Sequence, residues 1–307
     1  MDSFKLHFFA PLGNVDDSIL KLKLNQGFDI DSISLDDGFA FISQLEKSPL
    51  ENIGQWRYIH TTFVQGRLYF IKKSFDFDLP RNDKGEPVFT PELYKFSYDL
   101  VDKNIQIPLS LLRLYKEGNI HLPCWYIYFL NNEIPTVILT SGTPFLQSQS
   151  LFHLNANEIK NVQEFLVNTK MPLNFDYLTL AHENLELSYT VHNPSLEFLS
   201  LMIASEVLFN PGSGEITQRI SRNFAVLLGN SIDDAKKIQK EIKGLYKKRS
   251  SLVHNGKEIW NAVGEDDEVS IIRNYVRESI KKIISMNLSK EDLIDLLNSK
   301  GFGQLDP

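Results

Sequence analysis

Arg249 and His254 are the two side chains whose types and spacing are best suited to chemistry at a phosphate group. They lie in the segment "LYKKRSSLVHNGKEIW", residues 245–260, in which a basic run precedes the arginine. The planar guanidinium of arginine matches phosphate oxygens, and the imidazole of histidine accepts or donates a proton near neutral pH. Together the two groups indicate proton transfer at a phosphate.

Cleavage of RNA by its own 2′-hydroxyl needs both of these groups. A base removes the hydroxyl proton, an acid protonates the leaving oxygen, and a cation stabilises the charge that builds on the phosphate. One histidine cannot be charged and neutral at once, whereas a two-fold dimer supplies two histidines and two arginines. Five residues along a helix correspond to about 500°, so Arg249 and His254 project roughly 140° apart. In a cleft shared between two chains, the arginine of one chain can meet the histidine of the other, so the two side chains need not lie on the same side of one helix.

The segment before the motif is basic in an otherwise acidic chain. Residues 236–249 contain six lysines and Arg249 against Glu241 alone, whereas the whole chain has a net charge of −7. Such a stripe is typical of a surface that follows RNA phosphates, and the alternative is a solvated helix face with cations near its carboxyl end. The lysines that we assign to RNA binding are Lys243, Lys247 and Lys248.

Length and composition are those of an ordinary folded protein. The chain has 307 residues, with 42% hydrophobic and 23% charged residues, which suits one large domain or two of ordinary size. No apolar run approaches the roughly 18 to 20 residues that cross a bilayer, and "MDSFKLHFFAPLG" lacks the pattern of a signal peptide, so we expect a cytoplasmic protein without membrane contact. The single cysteine, Cys124, excludes a disulfide within one chain, and we expect it to be buried in a strand.

The first part of the chain is rich in strand patterns. Two-residue alternation or apolar runs broken by Gly, Asn and Pro predict strands in "HFFAP", "SILKLKL", "FDIDSI" and "RLYFIKKSFDF". The segment "CWYIYFLNNEIPTVILT" predicts two strands joined around Asn131 and Asn132.

Three helices are predicted between these strands. Ser34 with Asp37, and Asn155 with Glu158, have the three-residue spacing of helix amino-terminal caps. The segment "IQIPLSLLRLYKEGN" predicts a further helix that ends at Gly118.

After about Met171 the strand patterns stop, and apolar residues recur at three- and four-residue intervals, which predicts a compact helical bundle. We place a domain boundary at "KMPLN", between a mixed recognition or regulatory domain, residues 1–171, and a helical domain, residues 172–307. The predicted fold class is therefore α+β. The predicted helical segments are "DYLTLAHENLELSYTVHN", "SLEFLSLMIASEVLFN", "EITQRISRNFAVLLG", "DDAKKIQKEIKGLYKKRSSLVHN", "EVSIIRNYVRESIKKIISM" and the short "SKEDLIDLLNSKG".

The order of elements in residues 175–286, with "FLSLMIASEVLFNPGSGEITQRISRNFAVLLG" followed by "YKKRSSLVHNG", resembles the ApeA-like branch of the HEPN helical domains. The resemblance covers roughly the last 130 residues, and the region before them is similar in layout to the part that precedes such domains. The family signature is Arg, four to six arbitrary residues, then His, which Arg249 and His254 match. Many nucleases of the wider family have Asn, Asp or His directly after the Arg, whereas this chain has Ser250, which is common in the ApeA-like branch.

The resemblance implies a dimeric endoribonuclease that cuts RNA without a metal or any other cofactor and leaves a cyclic phosphate end. It also implies a bacterial anti-phage or toxin role, in which RNA cleavage halts the growth of an infected cell. The amino-terminal domain would then sense a phage-derived trigger or an inhibitory partner. The alternative is a HEPN module without catalytic activity that serves as a binding, dimerisation or regulatory partner. The presence of both Arg249 and His254 favours the enzyme.

Three further residues are assigned supporting roles. Glu206 is polar in the middle of the apolar segment "IASEVLF", and it could pair with Arg249 or Arg219 for a structural reason or to orient the catalytic arginine. Ser250 directly follows the arginine, and Asn255 could help to bind phosphate or could merely end the helix.

Two simpler interpretations remain open. Arg249 and His254 could be a capping pair at a helix end, with Gly256 just beyond the cap. The acidic stretch Glu265–Glu268 could hold a divalent cation, although acidic residues that open a helix are the ordinary explanation.

Overall fold

The chain forms two units, Met1–Asn168 and Thr169–Pro307, which divide close to the predicted boundary. The first unit contains a sheet with helices, and the described residues of the second contain helices only, which confirms the predicted α+β class. A computed structural model describes residues 1–24, 26–46, 66–142, 150–191, 193–210, 212, 215–255 and 266–305.

The sheet of the first unit has five antiparallel strands in the order β2-β3-β1-β4-β5. The strands are β1 (Asp2–Leu12), β2 (Asp29–Ser34), β3 (Arg67–Leu79), β4 (Cys124–Asn131) and β5 (Ile134–Gly142). The predicted hairpin is confirmed, because β4 and β5 are joined by Asn132 and Glu133, whose φ angles are 48° and 67°. A two-residue turn with positive φ at both positions matches the twist of the paired strands.

The helices of the first unit are α1 (Leu35–Glu46), α2 (Pro91–Val101), α3 (Ile107–Tyr115) and α4 (Glu158–Asn168). Both predicted caps are confirmed: the Asp37 N–H donates to Ser34 Oγ at 3.2 Å, and the Glu158 N–H donates to Asn155 Oδ1 at 3.1 Å. The prediction that the helix now labelled α3 ends at Gly118 was wrong. The helix ends at Tyr115 because the next residue is extended, with φ −143° and ψ 152°.

The strand predicted for "SILKLKL" was also wrong. Residues Asp17–Lys21 form a 3₁₀ helix, which Asp16 caps by accepting the Ser18 N–H at 2.9 Å. A distant segment fixes this turn, since the Leu154 N–H donates to Ser18 Oγ at 2.9 Å. Sequence reasoning also missed α2, although Thr90 caps it and a proline opens it.

The sheet is covered on both faces. On one face, Phe8 of β1 packs in a buried cluster with Leu93 of α2 and Leu112 of α3. On the other face, the next residue, Phe9, packs with Cys124 and with side chains of α1, because successive side chains of a strand point to opposite faces. Burial raises the pKa of the Cys124 thiol to about 12, and its predicted position as a buried strand residue is confirmed.

The second unit has helices where the sequence predicts them. Its described helices are α5 (Asp176–Thr190), α6 (Pro194–Phe209), α7 (Ile216–Leu228), α8 (Ile232–Asn255), α9 (Asp266–Met286) and α10 (Lys290–Ser299). Helix α5 packs against α6, α7 packs against α8, and α6 also contacts α8 and α9. The turn from α7 into α8 needs a glycine, since a Cβ at Gly229 would lie 2.6 Å from the Cβ of Ala235.

Candidate active site

Helix α8 carries both motif residues. It spans 24 residues and starts at a capped end, where the Asp234 N–H donates to Ser231 Oγ at 3.1 Å. Its sequence places apolar side chains at three- and four-residue intervals, which form the face that packs into the bundle. The buried residues of this face are Ala235, Ile238, Ile242, Leu245 and Tyr246.

Arg249 continues this packed face towards the carboxyl end of α8 and is held by helix α6. Its Nη2 is 3.3 Å from Glu206 Oε1, and the Tyr246 hydroxyl donates to the same oxygen at 3.4 Å. Of the two arginines considered for Glu206, the structure places Arg249 against it. Sequence reasoning missed Tyr246, although its position three residues before Arg249 places it on the same side of the helix.

Tyr246 acts in this group as a neutral hydrogen-bond donor. Burial raises the pKa of Tyr246 far above its ordinary value, and the Glu206 carboxylate adds to the increase while Arg249 opposes it. The phenol therefore keeps its proton at any physiological pH and fixes the position of the carboxylate that faces Arg249.

The contacts of Arg249 differ from those of a helix cap. Its guanidinium faces a carboxylate on another helix, and α8 continues beyond it as far as Asn255. The Arg249 side chain remains 31% exposed beside Glu206. Part of the guanidinium is therefore accessible from solvent, where a phosphate could reach it.

His254 lies on a different side of α8 from Arg249. At about 100° per residue the two side chains project about 140° apart, and His254 is exposed in the last turn. One protomer therefore does not direct the two side chains to one point. Ser250 is exposed beside the arginine. The side chain of Asn255 and the whole of Gly256 lie outside the described residues.

The predicted RNA-binding lysines differ in their surroundings. Lys247 is exposed and Lys243 is half-buried, whereas Lys248 forms an ion pair with Glu268 at the start of α9. Glu268 is thus paired with a lysine of the neighbouring helix. The other side chains of the acidic stretch, at positions 265–267, lie outside the described residues.

Exposed apolar side chains lie on α6 and α8, the two helices that carry the Arg249–Glu206 pair. Helix α6 is apolar nearly all round, and Leu196 and Ile203, which are seven residues apart on one side, are 51% and 46% exposed. Ile203 precedes Glu206 by three residues, and Val253, which follows Arg249 by four residues, is 49% exposed. A helix that is apolar all round is normally buried on every side, so the outer face of α6 has the character of an interface.

Searches with protein-family models, with curated proteins and with solved structures found no match to this chain. Within the described residues, no helix has the length and apolar composition that a membrane span needs.

Glu206→Gln separates an orienting role from a structural one. Glutamine keeps an acceptor for the Tyr246 hydroxyl but removes the charge that holds Arg249, and both partners of the ion pair are partly exposed. We expect the free energy of unfolding to fall by less than about 1 kcal/mol. If Arg249 binds a reacting phosphate as the motif predicts, the single-turnover rate of RNA cleavage should fall by about tenfold, because the guanidinium loses its fixed position.

The matched control is Glu278→Gln, which removes a carboxylate from another partly exposed ion pair, with Lys281, at 2.9 Å. We expect it to leave the cleavage rate unchanged. Equal losses of rate and stability in the two variants would assign Glu206 a structural role only.

Proposed function

We propose that this chain is a metal-independent endoribonuclease whose active site is completed by a second copy of the chain. The observation that carries the proposal is the position of Arg249. The Glu206 carboxylate, which accepts a hydrogen bond from the neutral Tyr246 phenol, holds this arginine, and the arginine side chain remains partly exposed. Such a side chain is suited to binding a phosphate that gains charge during a reaction. The resemblance of the motif to that of HEPN nucleases supports the same function.

In the proposed reaction, neutral His254 of one copy takes the proton of an RNA 2′-hydroxyl, and the oxygen attacks the adjacent phosphorus. Protonated His254 of the other copy gives its proton to the 5′-oxygen as the bond from phosphorus to that oxygen breaks. Arg249 stabilises the charge on the phosphate oxygens in the transition state. The products are a 2′,3′-cyclic phosphate and a 5′-hydroxyl end, and this chemistry requires no metal.

A second copy fits the apolar surface around Leu196, Ile203 and Val253. Burial of such side chains stabilises association, and the adjacent Arg249–Glu206 pair would then lie at the seam between copies. The proposed dimer would supply the second His254 that the proton transfers require. It also provides a partner for the only side of α6 that its own bundle leaves open among the described residues.

Ile203→Glu tests this interface. The side chain is 46% exposed, so a glutamate should leave the fold intact, but its charge would be buried between two copies. We expect a shift from dimer to monomer at micromolar concentration, measured by sedimentation velocity, with loss of RNA cleavage. The control is Val167→Glu in α4, which is 62% exposed and should change neither property. A variant that remains dimeric would rule out this face of α6 as the interface.

The activity is tested directly by incubating the purified protein with total RNA in the presence of a chelator. We expect cleavage that persists with the chelator and products that carry a cyclic phosphate, which polynucleotide kinase with phosphatase activity removes. Cleavage that stops with the chelator would exclude the proposed mechanism. A stable dimer without cleavage would favour the non-cutting binding module.

The biological role that we propose is bacterial defence or growth arrest in the cytoplasm, with the first unit as the sensor of a phage-derived trigger or inhibitory partner. The resemblance of the second unit to ApeA-like domains supports this role. The sheet unit has its own buried core on both faces, as expected of a separate recognition domain.

A further inference from the structure

Four lysines form a straight row on the exposed side of α8. At about 100° per residue, Lys240, Lys243 and Lys247 lie within about 40° of Lys236 around the helix axis. His254 is 18 residues, or five full turns, beyond Lys236 and therefore lies on the same line. The row thus leads along the helix to His254, whereas Arg249 faces the bundle.

The four lysines of this row are available to bind a ligand. Lys236, Lys240 and Lys247 are exposed and Lys243 is half-buried, and none of them forms an ion pair with a described residue. The lysines outside the row are paired, since Lys237 lies 3.9 Å from Glu241 and Lys248 contacts Glu268. The helix therefore separates lysines that have a carboxylate neighbour from a row of lysines that have none among the described residues.

The spacing of the row suits one nucleic acid strand. With a rise of about 1.5 Å per residue, neighbouring lysines are about 4.5 to 6 Å apart along the axis, and the row with His254 extends over about 27 Å. These intervals are comparable with the separation of successive phosphates in a single strand. A strand of a duplex winds around its own axis, so a straight row would meet few of its phosphates.

We propose that the row Lys236, Lys240, Lys243 and Lys247 binds the backbone of single-stranded RNA and directs the strand to His254. This inference rests on the proposed function, because the motif identifies RNA as the polyanion. It restricts the substrate to unpaired segments and removes Lys248 from the binding surface. Binding depends mainly on charge, so the row imposes no base sequence.

The test compares two double variants that each remove two lysines from α8. Lys236→Ala with Lys240→Ala opens a gap in the row, and Lys237→Ala with Lys248→Ala removes the same charge from outside it. Both are made with His254→Ala so that the RNA stays intact. The probe is a fluorescently labelled 12-nucleotide oligouridylate, and its affinity is measured by anisotropy at several salt concentrations.

We expect the row variant to bind at least about tenfold more weakly, with the slope of log K against log salt reduced by about 1.4, since each lost contact with a single strand contributes about 0.7. The control variant should bind like its parent. Equal weakening in both variants would overturn the inference. The inference would also be overturned if the row bound an RNA duplex as strongly as the single strand, which would indicate a general polyanion surface. Equally strong binding of polyglutamate would overturn it too, because it would indicate an acidic protein partner.

The cleavage assay with the wild-type protein separates this inference from the proposed function. Row-dependent binding without cleavage would keep the single-strand site and reject the nuclease. Cleavage together with binding that does not depend on the row would keep the nuclease and reject the site.

Discussion

Replacement of Arg249 by lysine should reduce RNA cleavage by about 10² or more, while RNA binding changes little. Lysine keeps the positive charge and can still pair with Glu206, which lies 3.3 Å from the arginine. It lacks the planar fork that binds two phosphate oxygens at once, and this fit matters most when the phosphate gains charge in the transition state. The measurements are single-turnover cleavage and RNA affinity.

The melting temperature controls for folding, because the ion pair is partly exposed and should contribute no more than about 1 kcal/mol. Arg67→Lys in β3 is a matched control, since its side chain is 46% exposed and lies in the other unit. An Arg249→Lys protein that cleaves at the wild-type rate would show that the arginine only anchors α8 to α6.

Replacement of His254 by alanine should have the largest effect, a loss of cleavage by about 10³ or more, because both the base and the acid of the dimer disappear. The side chain is exposed, so the fold should keep its melting temperature. RNA affinity should also persist, since most of the affinity for a polyanion comes from the lysines of α8. In bacteria, expression of the wild-type protein should slow growth, and His254→Ala should relieve this effect.

His7→Ala is the matched control for loss of an imidazole, because His7 lies in β1 and contacts Ser74 within the first unit. It should cleave like the wild type. Equal growth arrest by wild type and His254→Ala would argue for the non-cutting module. A His254→Ala protein with a lowered melting temperature would instead show that the histidine stabilises the end of α8.

Local patterns in the sequence were enough wherever short-range geometry decides the structure. The caps at Ser34 and Asn155, the turn after Asn131 and the helical segments after Met171 all follow from residues within a few positions of one another. The structure of the segment after Asp16 does not follow from local patterns. Its alternating apolar residues suit a strand, whereas hydrogen bonding from a segment far along the chain holds it as a 3₁₀ turn.

The candidate site was predictable only in part. The sequence by itself determined that Arg249 and His254 share one helix and project about 140° apart, since helix periodicity fixes that angle. Only the tertiary structure decided that Glu206 pairs with Arg249 and accepts a hydrogen bond from Tyr246, and that Lys248 pairs with Glu268. Tyr246 is 40 residues from Glu206 in the chain, and Lys248 is 20 residues from Glu268. Contacts between helices depend on how the helices pack rather than on local spacing.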